Sequence, residues 1–385
     1  MDFSTESSRA KPTIEAPIPY PPNRTIKRRA SAPDLSKSFV DENPYEEGKL
    51  LKLIVSDTPQ VITAKIVKCF KPFTMGQAMI VRILNPSHDS HKNYVLKLFD
   101  RRFTDSIRKQ DHLEPEMWNR EVDMAYHRFI FSPAHDHEYQ GWLGSGHEHD
   151  EFFWSDDDDE EENEHEDEDD DAESYAEALS NLVDETYVQY QCDRMSRNEQ
   201  RTYARLKDLQ GRDVPRCFAE VELPLFRVST NACAVGANTL FLHSIRGILL
   251  EYIKGFTLQD MFMKPVCPAP RKYWQEIIDD AVRIVDIVRG REILNKDSNV
   301  RNTMVRWDPI DNKYKVFLID FSHCKAKHPT TSLHKWRKVQ ANEDEEGALG
   351  RYLDHKLKEK YGAGGFRYTR TDYAEALVKD FKRGD

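Results

Sequence analysis

The alternation of apolar and polar positions predicts an antiparallel sheet in the first half of the chain. Residues 61–70 and 78–84 are rich in β-branched and apolar side chains and are separated by a short turn-like segment. A third strand of the same character spans 93–100 and completes a predicted meander. Two further strand-like runs lie at 216–223 and 246–253.

Helical spacing of apolar residues predicts three helices, at 116–131, 184–211 and 271–290. The second is predicted to end at Gly211, and Pro215 follows it. The third has the clearest apolar stripe, which typically means core packing and would support the loop after it. The stripe consists of Trp274, Ile277, Ile278, Ala281, Ile284, Val285 and Val288.

Two segments lack the pattern of a folded core. Residues 1–46 are rich in Pro and Ser, and we predict a disordered tail because they cannot bury enough apolar surface to offset chain entropy. Fourteen of the sixteen residues at 156–171 are acidic. Since the whole chain carries a net charge of −11, this run accounts for its acidity, and we predict a disordered acidic insert at about 135–180.

The remaining residues are sufficient for one bilobed domain, which we divide into 47–253 and a truncated helical part at 254–385. No apolar run is long enough for a membrane span, and no signal peptide is apparent. The six cysteines show no paired spacing, which indicates reduced thiols. We therefore expect an intracellular protein, cytoplasmic or nuclear, with neither a membrane nor nucleic acid as partner.

The segment LNKDSNVRNTMV places Asp297 five positions before Asn302, and the apolar run KVFLID ends at Asp320. Phosphoryl transfer needs a carboxylate beside the acceptor hydroxyl, oxygen ligands for Mg²⁺ and cations against the phosphates. Asp297 suits the first role, and Asn302 with Asp320 suits the second, since Mg²⁺ prefers oxygen ligands and keeps several waters.

The order of these parts resembles the protein kinase-like superfamily, and in particular uncharacterised fungal protein-kinase-like proteins. A strand Lys97, a helical Glu199, the segment LLEYIKGFTL, a long helix, D-x-x-x-x-N and I-D-F follow one another as in kinases. The resemblance implies an α+β fold with an antiparallel-sheet N-lobe and a reduced, mostly helical C-lobe. It also implies ATP and Mg²⁺ as cofactors.

By this resemblance Lys97 holds the α and β phosphates and Glu199 pairs with it. Glu121 is a rival partner, because it follows Lys97 by 24 residues whereas Glu199 follows it by 102. Glu199 is preferred because a cap, a proline and a strand succeed its helix. The residues from Glu251 to Ile253 match the hinge that reads adenine.

The resemblance likewise assigns the catalytic role to Asp297 and metal binding to Asn302 and Asp320. Arg301, directly before Asn302, is expected to neutralise the transferred phosphate.

The chain departs from the kinase pattern at several positions. Gly76 is the one glycine in the connection where kinases have a Gly-rich loop, and Ser322 stands where the Gly of the Asp-Phe-Gly motif is expected. Asn295 and Lys296 replace the His and Arg before the catalytic Asp. Only 65 residues follow Asp320, without an A-P-E motif.

The sequence therefore predicts an atypical ATP- and Mg²⁺-dependent phosphotransferase whose acceptor, protein or small molecule, is open. The alternative is a catalytically weak or inactive pseudokinase that binds nucleotide or acts as a scaffold. Outside the domain, Arg28, Ser31 and Pro33 in KRRASAP form a candidate phosphorylation site for capture by a phosphoserine-reading protein.

Overall fold

The computed structural model describes residues 43–58, 60–84, 91–113, 117–130, 137, 139, 141, 170–225, 244–362 and 366–381. The predictions for the tail at 1–46, for the insert at about 135–180 and for Ser31 fall wholly or largely outside these ranges. Within the described parts, Tyr45 is fully buried and residues 170–180 belong to a helix, so the predicted tail and insert each extend too far. None of the helices within them combines the length and apolar character needed to cross a bilayer.

Strands β1 to β6 form a closed antiparallel barrel in the order β1-β2-β3-β4-β6-β5. Their bounds are β1 Leu50–Val55, β2 Val61–Cys69, β3 Gln77–Ile83, β4 Asn93–Leu98, β5 Cys217–Pro224 and β6 Ser244–Glu251. The sequence patterns predict all of these except β1. That strand closes the barrel by pairing with both β2 and β5, so Leu51 and Leu53 are buried.

After β6, the described residues form five short strands in two small antiparallel sheets. They are β7 Phe256–Thr257, β8 Ile293–Asn295, β9 Thr303–Asp308, β10 Lys313–Leu318 and β11 Cys324–Ala326. β10, β9 and β7 form one sheet, and β11 pairs with β8 in the other. Gly255 is required beside β7, because a Cβ there would overlap the Val305 carbonyl oxygen.

The described helices are α1 Asp105–Gln110, α2 Arg120–Phe129, α3 Asp170–Arg205, α4 Asp260–Met263, α5 Trp274–Gly290, α6 Leu333–Glu343, α7 Glu345–Tyr361 and α8 Asp372–Phe381. α2 starts later than predicted because the Asn119 side chain caps it by accepting the Val122 N–H at 2.9 Å.

The predicted end of α3 at Gly211 was wrong. The helix ends at Arg205, and the chain tightens into a 3₁₀ turn at Lys207–Leu209, with Leu206 and Leu209 buried in the core. Gly211 does adopt a left-handed conformation, at φ 78°, but in the turn that its N–H closes on the Val214 carbonyl. The apolar core therefore sets the end of this helix.

Two main apolar cores result. One fills the barrel, and the other gathers α5, α7, β9 and β10 together with the end of α3. The apolar stripe predicted for 271–290 belongs to the second core, in which Trp274, Ile277 and Ile284 are almost fully buried. The observed mixed α and β structure with antiparallel sheets confirms the α+β prediction.

Candidate functional site

Lys97 lies in β4, between β3 and β6. Although single lysines in strands usually face solvent, this residue is only 8% exposed. Its Nζ donates to Glu199 Oε2 at 2.8 Å and to Asp320 Oδ1 at 2.6 Å. The structure therefore brings three of the predicted site residues, 102 and 223 positions apart along the chain, into one ionic cluster.

Glu199 reaches this cluster from α3, and its side chain is fully buried. The same Oε2 also accepts the backbone N–H of Phe321 at 3.0 Å, so Glu199 links the Lys97 ammonium to the segment after Asp320. Glu121, the rival partner, lies exposed in the first turn of α2. Lys97 thus pairs with Glu199.

The electrostatics of the cluster favour charged Lys97 and Asp320. Burial by itself would lower the pKa of Lys97, but the Asp320 and Glu199 carboxylates outweigh it and the pKa is raised. Burial would raise the pKa of Asp320, but the Lys97 ammonium and the Ser322 hydroxyl hold it at about 2. Burial raises the pKa of Glu199 in spite of Lys97.

Asp320 has a left-handed backbone, with φ 64°, a conformation that costs free energy in a residue with a Cβ and is often found at functional sites. Its Oδ1 accepts the Lys97 ammonium and, at 2.7 Å, the Ser322 hydroxyl. Among the described residues nothing donates to Oδ2, and the side chain is 35% exposed. One carboxylate oxygen is therefore open to an external ligand.

Asp297 and Asn302 contact each other directly. Asn302 Nδ2 donates to Asp297 Oδ2 at 2.8 Å and to its backbone carbonyl at 3.1 Å. Asn299 Nδ2 donates to the other carboxylate oxygen at 2.7 Å. The short 3₁₀ turn Val300–Asn302, capped by the Asn299 side chain, creates this arrangement.

Arg301 is the exposed member of this loop. Its side chain is 65% exposed, and its guanidinium lies 3.0 Å from Asp297 Oδ1. An exposed ion pair of this kind is weak, so the guanidinium can leave Asp297 for an incoming anion.

The Asp297 loop and the Lys97 cluster are neighbours joined through backbone. β8, which leads into Asp297, pairs with β11, which follows Asp320. The Ile319 N–H donates to the Asn302 carbonyl at 3.0 Å. His323 lies within electrostatic reach of both Asp320 and Asp297; burial lowers its pKa, against the pull of the two carboxylates.

The predicted hinge lies at the end of β6. Glu251 uses its side chain within the protein, accepting from Arg306 at 3.2 Å and from the Arg216 backbone N–H at 3.3 Å. Ile253 is buried, and no hydrogen bond joins its backbone to another described residue. Its backbone polar groups therefore have no hydrogen-bond partner among the described residues.

The donor set fits Mg²⁺. No group of three or more His, Cys, Asp or Glu side chains is arranged for a metal in the part of the chain that the structure describes. Two oxygens nevertheless accept no hydrogen bond from a described residue: Asp320 Oδ2, on a side chain that is 35% exposed, and Asn302 Oδ1, on a residue that is 9% exposed. Since Mg²⁺ keeps waters and takes phosphate oxygens, two protein ligands are enough for it.

Sequence reasoning missed two residues at this site. Glu345, in the charged run NEDEEG, is buried and accepts the Asn295 N–H at 2.7 Å beneath the Asp297 loop. Met75 Sδ lies 2.9 Å from His323 Nε2. A carboxylate in an acidic run resembles a solvated one, and no local pattern signals either contact.

No protein-family model matches the chain, and no curated protein matches it. Among solved structures, "WaaP in complex with acyl carrier protein" matches with 10% identity and a TM-score of 0.33, over 81% of this chain and 82% of that chain. The PknI kinase domain of Mycobacterium tuberculosis matches with 12% identity and the same TM-score, 0.33, over 82% of this chain and 95% of that chain. At this level of similarity neither structure assigns a fold or a role to this chain.

Proposed function

We propose that this chain is an atypical kinase-like phosphotransferase that uses ATP and Mg²⁺. The observation that carries the proposal is the position of Lys97, whose buried ammonium lies between Glu199 and the half-exposed Asp320, next to the hydrogen-bonded pair Asp297 and Asn302. These side chains supply the kinds of group that phosphoryl transfer requires: a carboxylate for the acceptor hydroxyl, a cation for the phosphates and oxygen ligands for the metal.

Lys97 is the cation for the nucleotide phosphates in this proposal. Its hydrogen bond to Glu199 fixes the ammonium. Its second hydrogen bond, to Asp320 Oδ1, places the ammonium beside the carboxylate whose Oδ2 has no donor among the described residues. Asp297 orients the acceptor hydroxyl and accepts its proton, held in place by Asn299 and Asn302. Arg301 turns from Asp297 to the transferred phosphate.

Asn302 Oδ1 and Asp320 Oδ2 would hold the metal. Bound Mg²⁺ supplies neutralisation of phosphate charge. The backbone of Ile253 would bind the adenine edge, while Glu251 keeps the hinge in place through Arg306.

A second candidate function is nucleotide binding without turnover. The contact between Met75 and His323 favours it, because it places a side chain of the β2 to β3 connection beside the segment that carries Asp320. That connection has one glycine, Gly76, so its backbone cannot approach phosphates as a Gly-rich loop does.

Labelled ATP distinguishes the two candidates. The full chain is incubated with γ-labelled ATP and Mg²⁺, and transfer to itself or to water is compared in wild type, Asp297→Asn and Asp311→Asn. Asp311 is an exposed carboxylate in the β9 to β10 turn and serves as the matched control. Loss of a general base costs about 10²- to 10⁴-fold in rate, so we expect that loss in Asp297→Asn alone.

Equal rates in wild type and Asp297→Asn would contradict the role given to Asp297. An increase in Tm with Mg²⁺ and ATP in the absence of transfer would favour the second candidate. If ATP with Mg²⁺ gives neither an increase in Tm nor transfer, both candidate functions are overturned.

A further inference from the structure

Strand β4 and the segment that follows it contact α3 at two separate points. Lys97 makes the first contact, through Glu199. Arg101, four residues later, makes the second, because one guanidinium nitrogen donates to Glu185 and the other to Asp123 of α2. One short stretch of chain therefore holds the same helix at two positions.

The second contact is as buried as the first. The Arg101 side chain is 4% exposed and Glu185 is fully buried. Arg108, also fully buried, donates to the other oxygen of Glu185. The Arg101 guanidinium lies 4.1 Å above the centre of the Tyr126 ring, which ties α2 into the same cluster.

The charges in this cluster stabilise one another. Burial would lower the pKa of Arg101, but the Asp123 and Glu185 carboxylates outweigh it and the pKa is raised. Burial would raise the pKa of Asp123, but Arg101 and His127 outweigh it and the pKa is lowered. Arg101, Asp123 and Glu185 are therefore each paired with an oppositely charged side chain of the protein.

Helix geometry relates the two contacts. Glu185 and Glu199 are 14 residues apart in α3. This separation corresponds to about 21 Å along the axis and to a rotation of about 40° short of four full turns. Both carboxylates therefore project from nearly the same face, and sliding α3 by one turn, about 5.4 Å, would break both contacts together.

The apolar contacts of α3 define its register less strictly than the ion pairs of Glu185 do. Val188, Cys192 and Met195 form a stripe at spacings of four and three against Phe99 and Ile107. Apolar packing of this kind is not directional, whereas guanidinium N–H groups donate to a carboxylate in few orientations. Buried ions add little net stability but can specify one arrangement over its neighbours.

We propose that Arg101 and Glu185 are positioning residues that fix the register of α3, so that Glu199 meets Lys97. The buried ion pairs of Arg101 and Arg108 with Glu185 make the Lys97 to Glu199 contact a constant feature of the fold. This inference goes beyond the proposed function, since it holds whether or not the site transfers a phosphoryl group.

The backbone N–H of Phe321 reports on the position of Glu199, because it donates to Glu199 Oε2. Glu199 is 14 residues from Glu185 along α3. Hydrogen exchange at this amide is measured by mass spectrometry in the full chain, for wild type, Glu185→Gln and Asp100→Asn. Asp100→Asn is the matched control. Asp100 is buried in the same segment, but its carboxylate binds Arg102 and Tyr45, neither of which lies on α3.

We expect Phe321 to exchange at least tenfold faster in Glu185→Gln, while Asp100→Asn leaves it near the wild-type rate even where both variants lower the Tm equally. The same rate in both variants, fast or slow, overturns the proposal. If Glu185→Gln does not fold, Arg101→Lys replaces it in the same comparison. That variant keeps the charge but has one nitrogen in place of the two that donate to Glu185 and Asp123, so the same two outcomes apply.

Discussion

The Glu345 carboxylate accepts the backbone N–H of Asn295 at 2.7 Å, directly before the loop that carries Asp297. The Ser298 hydroxyl donates to the Glu345 backbone carbonyl at 3.3 Å, so this one residue supports the loop from both sides of Asp297. Burial raises the pKa of Glu345 to about 8, even though the Asn295 N–H and Arg289 act in the opposite direction.

The raised pKa of Glu345 predicts a pH-dependent stability. Between its ordinary value of 4.5 and the folded value of about 8, the folded protein holds a proton that the unfolded chain releases. The free energy of unfolding therefore falls as pH rises through this window, by up to about 1.4 kcal/mol per pH unit. We expect Glu345→Gln to remove the contribution of Glu345 to this slope, because Gln keeps an oxygen for the Asn295 N–H and cannot ionise.

Urea denaturation at several pH values between 5 and 8 measures the effect. Glu359→Gln, at an exposed carboxylate of α7 whose pKa is lowered by Lys356, is the control and should retain the wild-type slope. A slope in Glu345→Gln that equals that of wild type would show that Glu345 is ionised in the folded protein.

Lys97→Met is predicted to destabilise the protein and to abolish nucleotide binding. It leaves Glu199 buried without its cation, and loss of one partner from a buried ion pair costs about 3–5 kcal/mol. We expect the double variant Lys97→Met, Glu199→Gln to recover most of this free energy, because the fully buried carboxylate is then neutral and the remaining one, Asp320, is 35% exposed to solvent. It should still bind no ATP, which separates the role of the ammonium in binding from its role in folding.

Chemical denaturation of the wild type, both single variants and the double variant gives the coupling energy between Lys97 and Glu199. The Tm with and without ATP gives binding in the same samples. An increase in Tm with ATP in the double variant, as large as in wild type, would be inconsistent with phosphate binding by Lys97.

The residues that the sequence predicted are those whose relation is local or follows a fixed order of motifs. Asp297 and Asn302 are five positions apart, and one 3₁₀ turn brings them together. Lys97, Glu199 and Asp320 follow the kinase order, and the structure joins them through the barrel and α3.

Partners whose burial depends on distant chain segments were not predictable. Glu345 and Glu185 resemble surface charges in the sequence, because their neighbours are also charged or polar. Their burial depends on the packing of α7 beneath β8 and of α3 beside β4. Strand β1 was also missed, although it pairs with the neighbouring strand β2 at five positions and with the distant strand β5 at only two.

Asp320→Asn is predicted to remove the metal-dependent part of nucleotide binding. Its open Oδ2 is the one carboxylate oxygen in the proposed metal site, and neutralising it removes the charge that favours a divalent cation. We expect the variant to show the same increase in Tm with ATP in Mg²⁺ as in EDTA, whereas wild type shows a larger increase in Mg²⁺. Glu292→Gln, which removes an exposed partner of Lys327, should behave as wild type. A larger increase with Mg²⁺ in Asp320→Asn would place the metal elsewhere.

Met75→Ala tests whether the β2 to β3 connection restricts the site. Met75 Sδ contacts His323 Nε2 at 2.9 Å, so a nucleotide phosphate near Asp320 has to share this space with the thioether. Truncation should strengthen ATP binding by about three- to tenfold, at a cost of about 1 kcal/mol in stability, because Met75 is only partly buried against the cluster around Phe99. Isothermal titration of ATP in Mg²⁺ measures the change, and Met79→Leu, a volume-conserving change inside the barrel, controls for altered packing. Weaker ATP binding in Met75→Ala would instead indicate that the Met75 side chain contacts the nucleotide and is part of its binding site.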